Sequence, residues 1–359
     1  MKKGLKTILA ILLALVLLVA GYLAYVLIDY HRIGDQVLEI AQDGNGNQVQ
    51  TDTEYRMMSW NVGFGAYEQD YSFFMDGGTE SWAWSEERLN ANIGKMADLV
   101  TQEKPDFCIM QEVDRNATRS YHVDEYPVLG NALIQAGYDS TFCVNYDSPF
   151  LMYPFTQPHG KSLSGLATFV NFDLTAANRV SLPVEDSLMK LVDLDRCYSV
   201  NHIAVEDGKD LVLYNVHLSA YTSDGTIAVE QLKLLLADMQ SEYEKGNYVI
   251  CGGDFNKDLS GDCYACFHQE KVEESTWAQP LPDEIFDGTN LSLTMPLDPE
   301  QPVASCRTAS APYFEGQFVI TVDGFIVSDN VTVHSAEVID TQYRYSDHNP
   351  IRMSFSLNG

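Results

Sequence analysis

The chain has 359 residues, of which 45% are hydrophobic and 20% are charged. This composition allows a large buried core and excludes disorder over the whole chain, and the length fits one large α/β domain or two smaller ones. The formal net charge of −29 at pH 7 argues against binding of nucleic acid by broad phosphate neutralisation, because that mode of binding needs a basic surface.

An apolar segment follows a basic N-terminus. Lys2, Lys3 and Lys6 precede an uncharged run over residues 7–28, which is long enough to cross a bilayer as a helix. The positive charges favour a cytoplasmic location for residues 1–6. A cleaved secretory signal is the alternative, but the run is longer than the apolar part of such signals and no clear cleavage motif follows it. We expect a single-pass membrane protein with its remaining chain outside the cytoplasm, or a secreted one if the segment is cleaved.

Residues 29–52 are polar, and the Gly/Asn-rich stretch at 43–48 runs through their middle. Such composition predicts a spacer between the membrane and the folded part of the chain. No comparable linker follows it. We therefore predict one domain over residues 53–359.

Strand and helix patterns alternate along this domain. Apolar runs predict strands at residues 57–62, 107–112, 166–172, 198–205, 211–217, 248–251, 317–328 and 331–339. Apolar positions at near-helical spacing predict helices over 86–100 and 228–243. Many strands with interspersed helices favour an α/β (α+β) fold in which two sheets pack together with helices outside.

The seven cysteines are an odd number for an exported chain, so at least one is unpaired or pairs between molecules. Cys108, Cys197 and Cys251 fall in strand runs and are expected in the core. Cys263 and Cys266 form a C-x-x-C pair without a second pair to complete a zinc site. We expect either a local disulfide between them or two buried thiols.

Polar side chains recur at the ends of the predicted strands, or just after them. They are Asn61, Glu112, His217, Asp254, Asn256, Asp323, Asp347 and His348. Each one alone is more readily explained as a turn or core residue, but their recurrence predicts a single site at one rim of a rigid scaffold. Carboxylate oxygens such as those of Glu112 and Asp347 select Mg²⁺ or Mn²⁺ rather than zinc.

The motifs around these residues resemble the ordered signature blocks of the endonuclease/exonuclease/phosphatase superfamily. The blocks are Trp60-Asn61, Gln111-Glu112-Val113, Asn215-Val216-His217-Leu218, Gly252-Gly253-Asp254-Phe255-Asn256, Val322-Asp323 and Ser346-Asp347-His348-Asn349-Pro350. The resemblance covers about residues 56–356. It implies a four-layer α/β/β/α sandwich of two mixed sheets and hydrolysis of a phosphate ester with Mg²⁺ or Mn²⁺.

The resemblance also implies roles at the metal and at the attacking water. Glu112 would be the main metal ligand, with Asn61 and Asp347 in or next to the coordination sphere. Asp254 would orient or deprotonate the water, and Asn256 would bind a phosphoryl oxygen.

Two imidazoles complete the implied site. His348, held in one tautomer by Asp323, would stabilise the pentacovalent phosphate or donate a proton. His217 would be the second imidazole at the scissile phosphate. The sequence around His217 resembles that of the sphingomyelinases and of general bacterial members more than that of the abasic-site endonucleases.

Substrate contacts are less defined by the sequence. Arg115 and Arg119 follow the Glu112 block and are either contacts for substrate phosphate or exposed loop residues. Lys161 lies where the superfamily places a further block, and is another candidate for substrate binding.

The sequence does not identify which phosphate ester is the substrate. The acidity of the chain disfavours processive binding of DNA, and a membrane anchor favours a phospholipid head group or a small organophosphate. A nuclease acting on DNA or RNA is the alternative, and a non-catalytic binding module on the same fold is the rival class. The aromatic runs 71–75 and 82–84 are candidate bilayer contacts, with packing against the domain as the alternative. No protein partner is implied.

Overall fold

The computed structural model describes residues 2–41, 46–185, 194–220, 226–271 and 277–359. Residues 42–45, which fall within the predicted spacer, lie outside the described residues. The first helix, α1 (Lys2–Asp29), is exposed along nearly all of its length. Its stretch Lys3–Asp29 is long and apolar enough to cross a membrane, a property that a secretory signal shares.

The remaining helices pack around a body of strands. They are α2 (Glu86–Glu103), α3 (Glu125–Leu129), α4 (Asn131–Gln135), α5 (Thr226–Glu244) and α6 (Cys263–Cys266). The strands in chain order are β1 (Gln36–Val37), β2 (Ile40–Ala41), β3 (Tyr55–Asn61), β4 (Phe107–Asp114), β5 (Asp139–Asp147), β6 (Leu163–Val170), β7 (Leu174–Ser181), β8 (Cys197–Ala204), β9 (Asp210–His217), β10 (Tyr248–Asp254), β11 (Leu291–Thr294), β12 (Cys306–Arg307), β13 (Val319–Ile320), β14 (Asp323–Ser328), β15 (Val331–Val338) and β16 (Ile351–Leu357).

Most of the strands form two mixed sheets. The first sheet has the order β15-β16-β3-β4-β6-β5-β2, and the second has the order β1-β7-β8-β9-β10-β14-β11. Each sheet contains one parallel pair, β3 with β4 and β9 with β10, among antiparallel neighbours. The expectation of two packed mixed sheets flanked by helices is confirmed.

The central strands are apolar on both faces because each sheet is covered twice. Between the sheets, Met57 and Ile109 of the first pack in one cluster with Ile250 of the second. On the outer faces, α2 covers the first sheet and α5 covers the second. Burial on both faces explains why the sequences of β9 and β10 are continuous apolar runs rather than alternating apolar and polar residues.

The apolar run at 317–328 is divided into two strands, contrary to the single strand predicted. Val319–Ile320 pairs with β12, whereas β14 begins at Asp323 and pairs with β10. The segment 29–52 is also partly ordered onto the domain. Its strand β1 pairs with β7, and its strand β2 pairs with β5.

The cysteines are all free thiols in the described residues. Cys108, Cys197 and Cys251 are buried in the core, as their strand positions predict. Cys263 and Cys266 lie in α6 as two separate thiols. Cys263 is buried and Cys266 is half-buried, so the expectation of two buried thiols holds for Cys263 only.

Candidate active site

Three strand ends of the second sheet place acidic and imidazole side chains next to each other. Asp254 ends β10 and is paired with His217, the last residue of the parallel strand β9. Asp254 is also paired with Asp323, the first residue of the antiparallel strand β14. The strand order and register therefore fix these three residues at one edge of the sheet.

Asn61 connects this edge to the first sheet. It ends β3, and its Nδ2 donates to Glu112 Oε1 at 3.0 Å and to Asp254 Oδ2 at 3.1 Å. Its Oδ1 accepts the backbone N–H of Gly63 at 3.0 Å. In this arrangement the N–H side of the amide faces the two carboxylates, so Asn61 orients Glu112 and Asp254.

A β-bulge directs the side chain of Glu112. The register between β4 and β6 shifts between Met110 and Val113, and Glu112, within the shifted segment, has a φ of +54°. A left-handed backbone is costly for a residue with a Cβ, and bulges re-aim side chains beside functional sites. Glu112 lines the same cleft as Asp347.

The loop that carries Asp347 and His348 is held by buried hydrogen bonds. Ser346 Oγ donates to Asn61 O at 2.9 Å, and Trp60 Nε1 donates to His348 O at 2.9 Å. Trp60 and Ser346 are almost fully buried. The Trp and Ser of the signature blocks thus fix the position of the loop near the end of the chain.

Asp323 orients the imidazole of His348. The Nδ1 of His348 donates to Asp323 Oδ2 at 2.7 Å, which leaves Nε2 directed toward Asp254 Oδ2 at 3.8 Å. Burial alone disfavours the charged imidazole, but the carboxylate of Asp323 raises the pKa of His348 well above its usual value. Ser305 supports the pair because its Oγ donates to Asp323 Oδ2 at 2.7 Å.

Asp254 lies at the centre of the polar cluster. Its Oδ1 accepts the backbone N–H of Asn256 at 2.9 Å, and its Oδ2 accepts from Asn61. The His217 Nε2 lies 3.5 Å from the same Oδ2. Burial raises the pKa of Asp254 to about 7, although the charge of His348 acts in the opposite direction. The carboxylate can therefore exchange a proton near neutral pH.

The second imidazole has the opposite protonation tendency. Burial lowers the pKa of His217 well below its usual value, and the nearby cations Arg196 and His348 act in the same direction. The Nδ1 of His217 is buried without a hydrogen-bond partner in the part of the chain that the structure describes. The site thus pairs a neutral imidazole with a charged one.

The oxygen donors that face the cleft fit a hard divalent cation. Burial raises the pKa of Asp347, and the like charge of Glu112 acts in the same direction, a conflict that a cation between the two carboxylates would relieve. Ligand atoms of Asp254, Asp323 and His348 also lie within 4.8 Å of one another. The Nδ1 of His348 is already hydrogen-bonded to Asp323. The Glu112 and Asp347 carboxylates therefore fit Mg²⁺ or Mn²⁺ better than the set of Asp254, Asp323 and His348 does.

The two candidates for substrate binding do not line the cleft. Arg115 Nε lies 2.6 Å from Asp124 Oδ1 in an ion pair, and its guanidinium packs over aromatic rings. Lys161 Nζ is 3.9 Å from Asp147 Oδ1 and is half exposed. The structure therefore does not bring Arg115 or Lys161 to the catalytic cluster, and the loop alternative for Arg115 describes its position better.

Other arginines supply positive charge to the cleft, namely Arg119, Arg196 and Arg307. Arg119 makes two hydrogen bonds to Asp114, at 3.0 and 2.9 Å. The sequence indicates only Arg119, which follows a signature block. Arg196, Arg307 and the supporting Ser305 lie outside every block and carry no pattern of their own, so a single sequence gives no signal for them.

The cleft has a volume of about 590 Å³. Its floor holds the polar cluster, including Asn256, whose Nδ2 donates to Leu218 O at 2.9 Å. Its lining also includes the aromatic residues Trp277, Phe314 and Phe318. The cleft can therefore enclose a phosphate group at the cluster and an apolar or ring-containing group beside it.

Comparisons with known structures agree with this architecture. An endonuclease/exonuclease/phosphatase from Beutenbergia cavernae DSM 12333 has a TM-score of 0.56 at 18% identity, covering 85% of this chain and 72% of that one. ANGEL2, a 2′,3′-cyclic phosphatase, has a TM-score of 0.58 at 15% identity, covering 90% and 99%. The human Nocturnin catalytic domain has a TM-score of 0.54 at 17% identity, covering 89% and 97%. At these identities the likeness shows the fold.

Comparison with curated protein sequences gives no significant match. The sequence profile of the Endonuclease/Exonuclease/phosphatase family, in contrast, matches residues 58–348. This span contains each of the polar residues at the cluster, from Asn61 to His348. The chain therefore belongs to the endonuclease/exonuclease/phosphatase family, whose members are hydrolases of phosphoric ester bonds.

Proposed function

We propose that the protein is a phosphodiesterase that uses Mg²⁺ or Mn²⁺ and attacks its substrate with water. The observation that carries this proposal is the convergence, in one cleft, of two carboxylates suited to a cation and an Asp254 carboxylate between a neutral and a charged imidazole. A phosphate ester needs these functions together: neutralisation of its oxygens, a base for water, and an acid for the leaving group.

Glu112 and Asp347 would hold the cation. When bound, the ion would act as a Lewis acid and neutralise charge on the phosphoryl oxygens. Asn61 fixes Glu112 by a hydrogen bond of 3.0 Å, so the carboxylate is already positioned by the protein. Glu112 has a φ of +54°, and this left-handed backbone conformation costs conformational free energy that the surrounding structure must offset.

Asp254 acts on the attacking water. It is held by Asn61 and by the backbone of Asn256, and its pKa of about 7, raised by burial, suits a base near neutral pH. His217, kept neutral by burial, lies 3.5 Å from the Asp254 carboxylate. A neutral imidazole there can donate one hydrogen bond without competing for the proton that Asp254 takes.

His348 acts on the phosphate and the leaving group. Asp323 keeps its imidazole protonated and in one orientation. A charged imidazole stabilises the negative transition state and can then protonate the leaving oxygen. Asn256, which lines the cleft, is proposed to contact a phosphoryl oxygen.

The location of the enzyme is part of the proposal. The exposed apolar helix α1 and the lysines before it support a single-pass membrane protein with the catalytic domain outside the cytoplasm. The remaining chain, residues 53–359, would form one catalytic domain. The net charge of −29 favours a small or lipid-borne phosphodiester over long nucleic acid.

A substrate panel tests the proposal with the full-length chain in detergent. Bis-p-nitrophenyl phosphate, p-nitrophenyl phosphate, plasmid DNA, RNA, sphingomyelin and phosphoinositides are each incubated with Mg²⁺, with Mn²⁺ or with EDTA. We expect turnover of a phosphodiester that requires the cation and identifies the substrate class. Turnover of nucleic acid alone would identify this phosphodiesterase as a nuclease.

Two variants make the test specific. Glu112→Gln removes the charge of the main carboxylate and should abolish cation-dependent turnover, whereas Glu87→Gln, on the exposed surface of α2, should keep it. Absence of turnover on every substrate, in preparations with an intact fold, would contradict the proposal and favour a binding module on this fold.

A further inference from the structure

One hairpin of this acidic chain carries no charge. Residues 148–160 contain no Asp, Glu, Lys or Arg, although the chain as a whole has a net charge of −29. Leu151 and Gly160 close the hairpin by exchanging two backbone hydrogen bonds, each of 3.0 Å. We refer to residues 150–160 as the uncharged hairpin.

The apolar side chains of this hairpin point to solvent. Phe150 is 39% exposed, Met152 43%, Tyr153 63% and Phe155 81%. Large apolar side chains that are exposed next to one another are typical of a contact surface in proteins. The aromatic run 71–75 differs, because Tyr71 and Phe73 are buried in the core, so the packing alternative holds for these two residues.

The apolar helix α1 contacts the base of the hairpin directly. Tyr22 Oη donates to Phe150 O at 3.1 Å and accepts the backbone N–H of Met152 at 3.1 Å. Tyr25 Oη accepts the backbone N–H of Phe150 at 3.0 Å. These bonds satisfy backbone groups of the hairpin, a condition for placing irregular backbone against lipid.

Tyr22 and Tyr25 also indicate the depth in a bilayer at which the base of the hairpin would lie. With a rise of about 1.5 Å per residue, Tyr22 lies about 10 Å from the end of α1 at Asp29. Tyrosines at the end of a membrane-spanning helix are typical of the interface between hydrocarbon and head groups. The hairpin base therefore lies beside the part of α1 that would occupy that interface.

The segment after α1 fixes the orientation of the domain. Arg179 Nη1 donates to Ile33 O at 2.6 Å and to Gly34 O at 3.0 Å. Arg32 Nη2 donates to Leu182 O at 3.0 Å. The segment directly after α1 is thus attached to the domain at residues 32–34, which keeps the hairpin beside α1.

We infer that the uncharged hairpin and the last two turns of α1 form one surface that lies in the interface of a lipid bilayer. The bilayer is the occupant that fits, because the same surface contains the helix suited to span it. Anionic head groups repel a domain of this charge, so the contact must be apolar. The Tyr153 ring lies 5.8 Å from Phe74, whose neighbours Phe73 and Met75 line the catalytic cleft, so the hairpin and the cleft share a wall.

Depth-dependent quenching tests this inference in the full-length chain reconstituted into vesicles. Phe155→Cys is labelled with an environment-sensitive fluorophore, and nitroxide-labelled lipids are the quenchers. Leu234→Cys is the matched control, because Leu234 is a 50% exposed apolar residue on α5. Labelling of the wild-type chain gives the background from native cysteines such as the half-buried Cys266.

We expect quenching at position 155 to exceed that at position 234 about threefold or more, as for a side chain in the interface. Equal quenching at the two positions would overturn the inference. Because Phe155 is 81% exposed, its substitution leaves the core intact, and the catalytic cluster is untouched.

A second variant tests the contact with α1. Tyr22→Phe combined with Tyr25→Phe removes only the hydroxyl groups that bind the hairpin backbone. Quenching at position 155 should fall while the chain still floats with vesicles. Unchanged quenching would show that the hairpin does not depend on these hydroxyls and would overturn the proposed joint surface.

Discussion

His348 Nδ1 lies 2.7 Å from Asp323 Oδ2, and both side chains are almost fully buried. The hydrogen bond fixes the tautomer and the ring orientation, and the negative charge keeps the imidazole protonated. The Nε2 of the same ring is thereby directed toward Asp254. This pair links the second sheet, which provides Asp323, to the loop near the end of the chain.

Replacement of Asp323 by Asn should lower the turnover rate about 10²-fold or more, within the range for a misdirected acid–base residue. Without the carboxylate charge, the pKa of His348 falls, so the alkaline limb of the pH–rate profile should move to lower pH. Ser305→Ala is the control, because it leaves that charge in place and should shift the limb less. An unchanged alkaline limb in Asp323→Asn would contradict the role of the pair.

The acid limb of the same profile should report Asp254. Burial raises its pKa to about 7, and a base must be deprotonated, so turnover should rise with pH toward and through this region. A bound cation nearby favours the ionised form and would move the limb to lower pH. Turnover measured from pH 5 to 10 should therefore be bell-shaped, with His348 protonated and Asp254 ionised at the maximum. A rate that falls steadily from pH 5 to 8 would contradict these assignments.

Asn215 joins the two sheets through buried hydrogen bonds. Its Nδ2 donates to Met110 O at 3.1 Å and to Ala167 O at 3.0 Å, and its Oδ1 accepts from Gln111 Nε2 at 2.8 Å. Asn215→Ala should lower the free energy of unfolding by about 2–3 kcal/mol, because polar groups are left buried without partners.

Denaturant unfolding of the full-length chain measures the effect of this substitution. Asn90→Ala, the same change at an exposed position of α2, should alter stability by less than about 0.5 kcal/mol. Equal unfolding midpoints for the two variants would show that the Asn215 contacts do not stabilise the packing of the sheets.

Gly253 allows β10 to approach β9 beside the site. Its φ is +142°, and a Cβ there would lie 2.0 Å from Val216 O, a backbone atom that cannot turn aside. Gly253→Ala should displace Asp254 from His217 and reduce turnover by at least about tenfold, as misplaced catalytic groups do.

Gly94→Ala is the control for this glycine. Gly94 lies in α2 and a Cβ there meets no atom within 4 Å, so the substitution should raise stability by about 0.5–1 kcal/mol and leave turnover unchanged. Wild-type turnover in Gly253→Ala would contradict the requirement for close strand approach.

The sequence predicts the two mixed sheets and the family because these depend on repeated signals. Apolar runs buried on both faces are unmistakable in β9 and β10, and strand ends bring polar residues to one edge whatever the details of the loops. The strands β5 and β7 escape prediction. Exposed or half-buried positions interrupt β7, so its pattern resembles that of a loop.

Features that depend on tertiary contacts could not be predicted. The bulge at Glu112 arises from a register shift between β4 and β6, and pairing is not encoded in the local sequence. Arg115 has the charge needed for a phosphate contact, but only the folded structure shows that Asp124 binds it. The uncharged hairpin is visible as a composition, yet its position beside α1 is not.

The most direct measurement is the hydrolysis of bis-p-nitrophenyl phosphate with Mg²⁺ by the full-length chain and its His348→Ala variant. His202→Ala is the matched control, because His202 Nδ1 also lies near a carboxylate, 3.1 Å from Asp210 Oδ2, but outside the cleft. We predict wild-type turnover in His202→Ala and a loss of about 10²- to 10⁴-fold in His348→Ala. Equal turnover in all three proteins would contradict catalysis at this site.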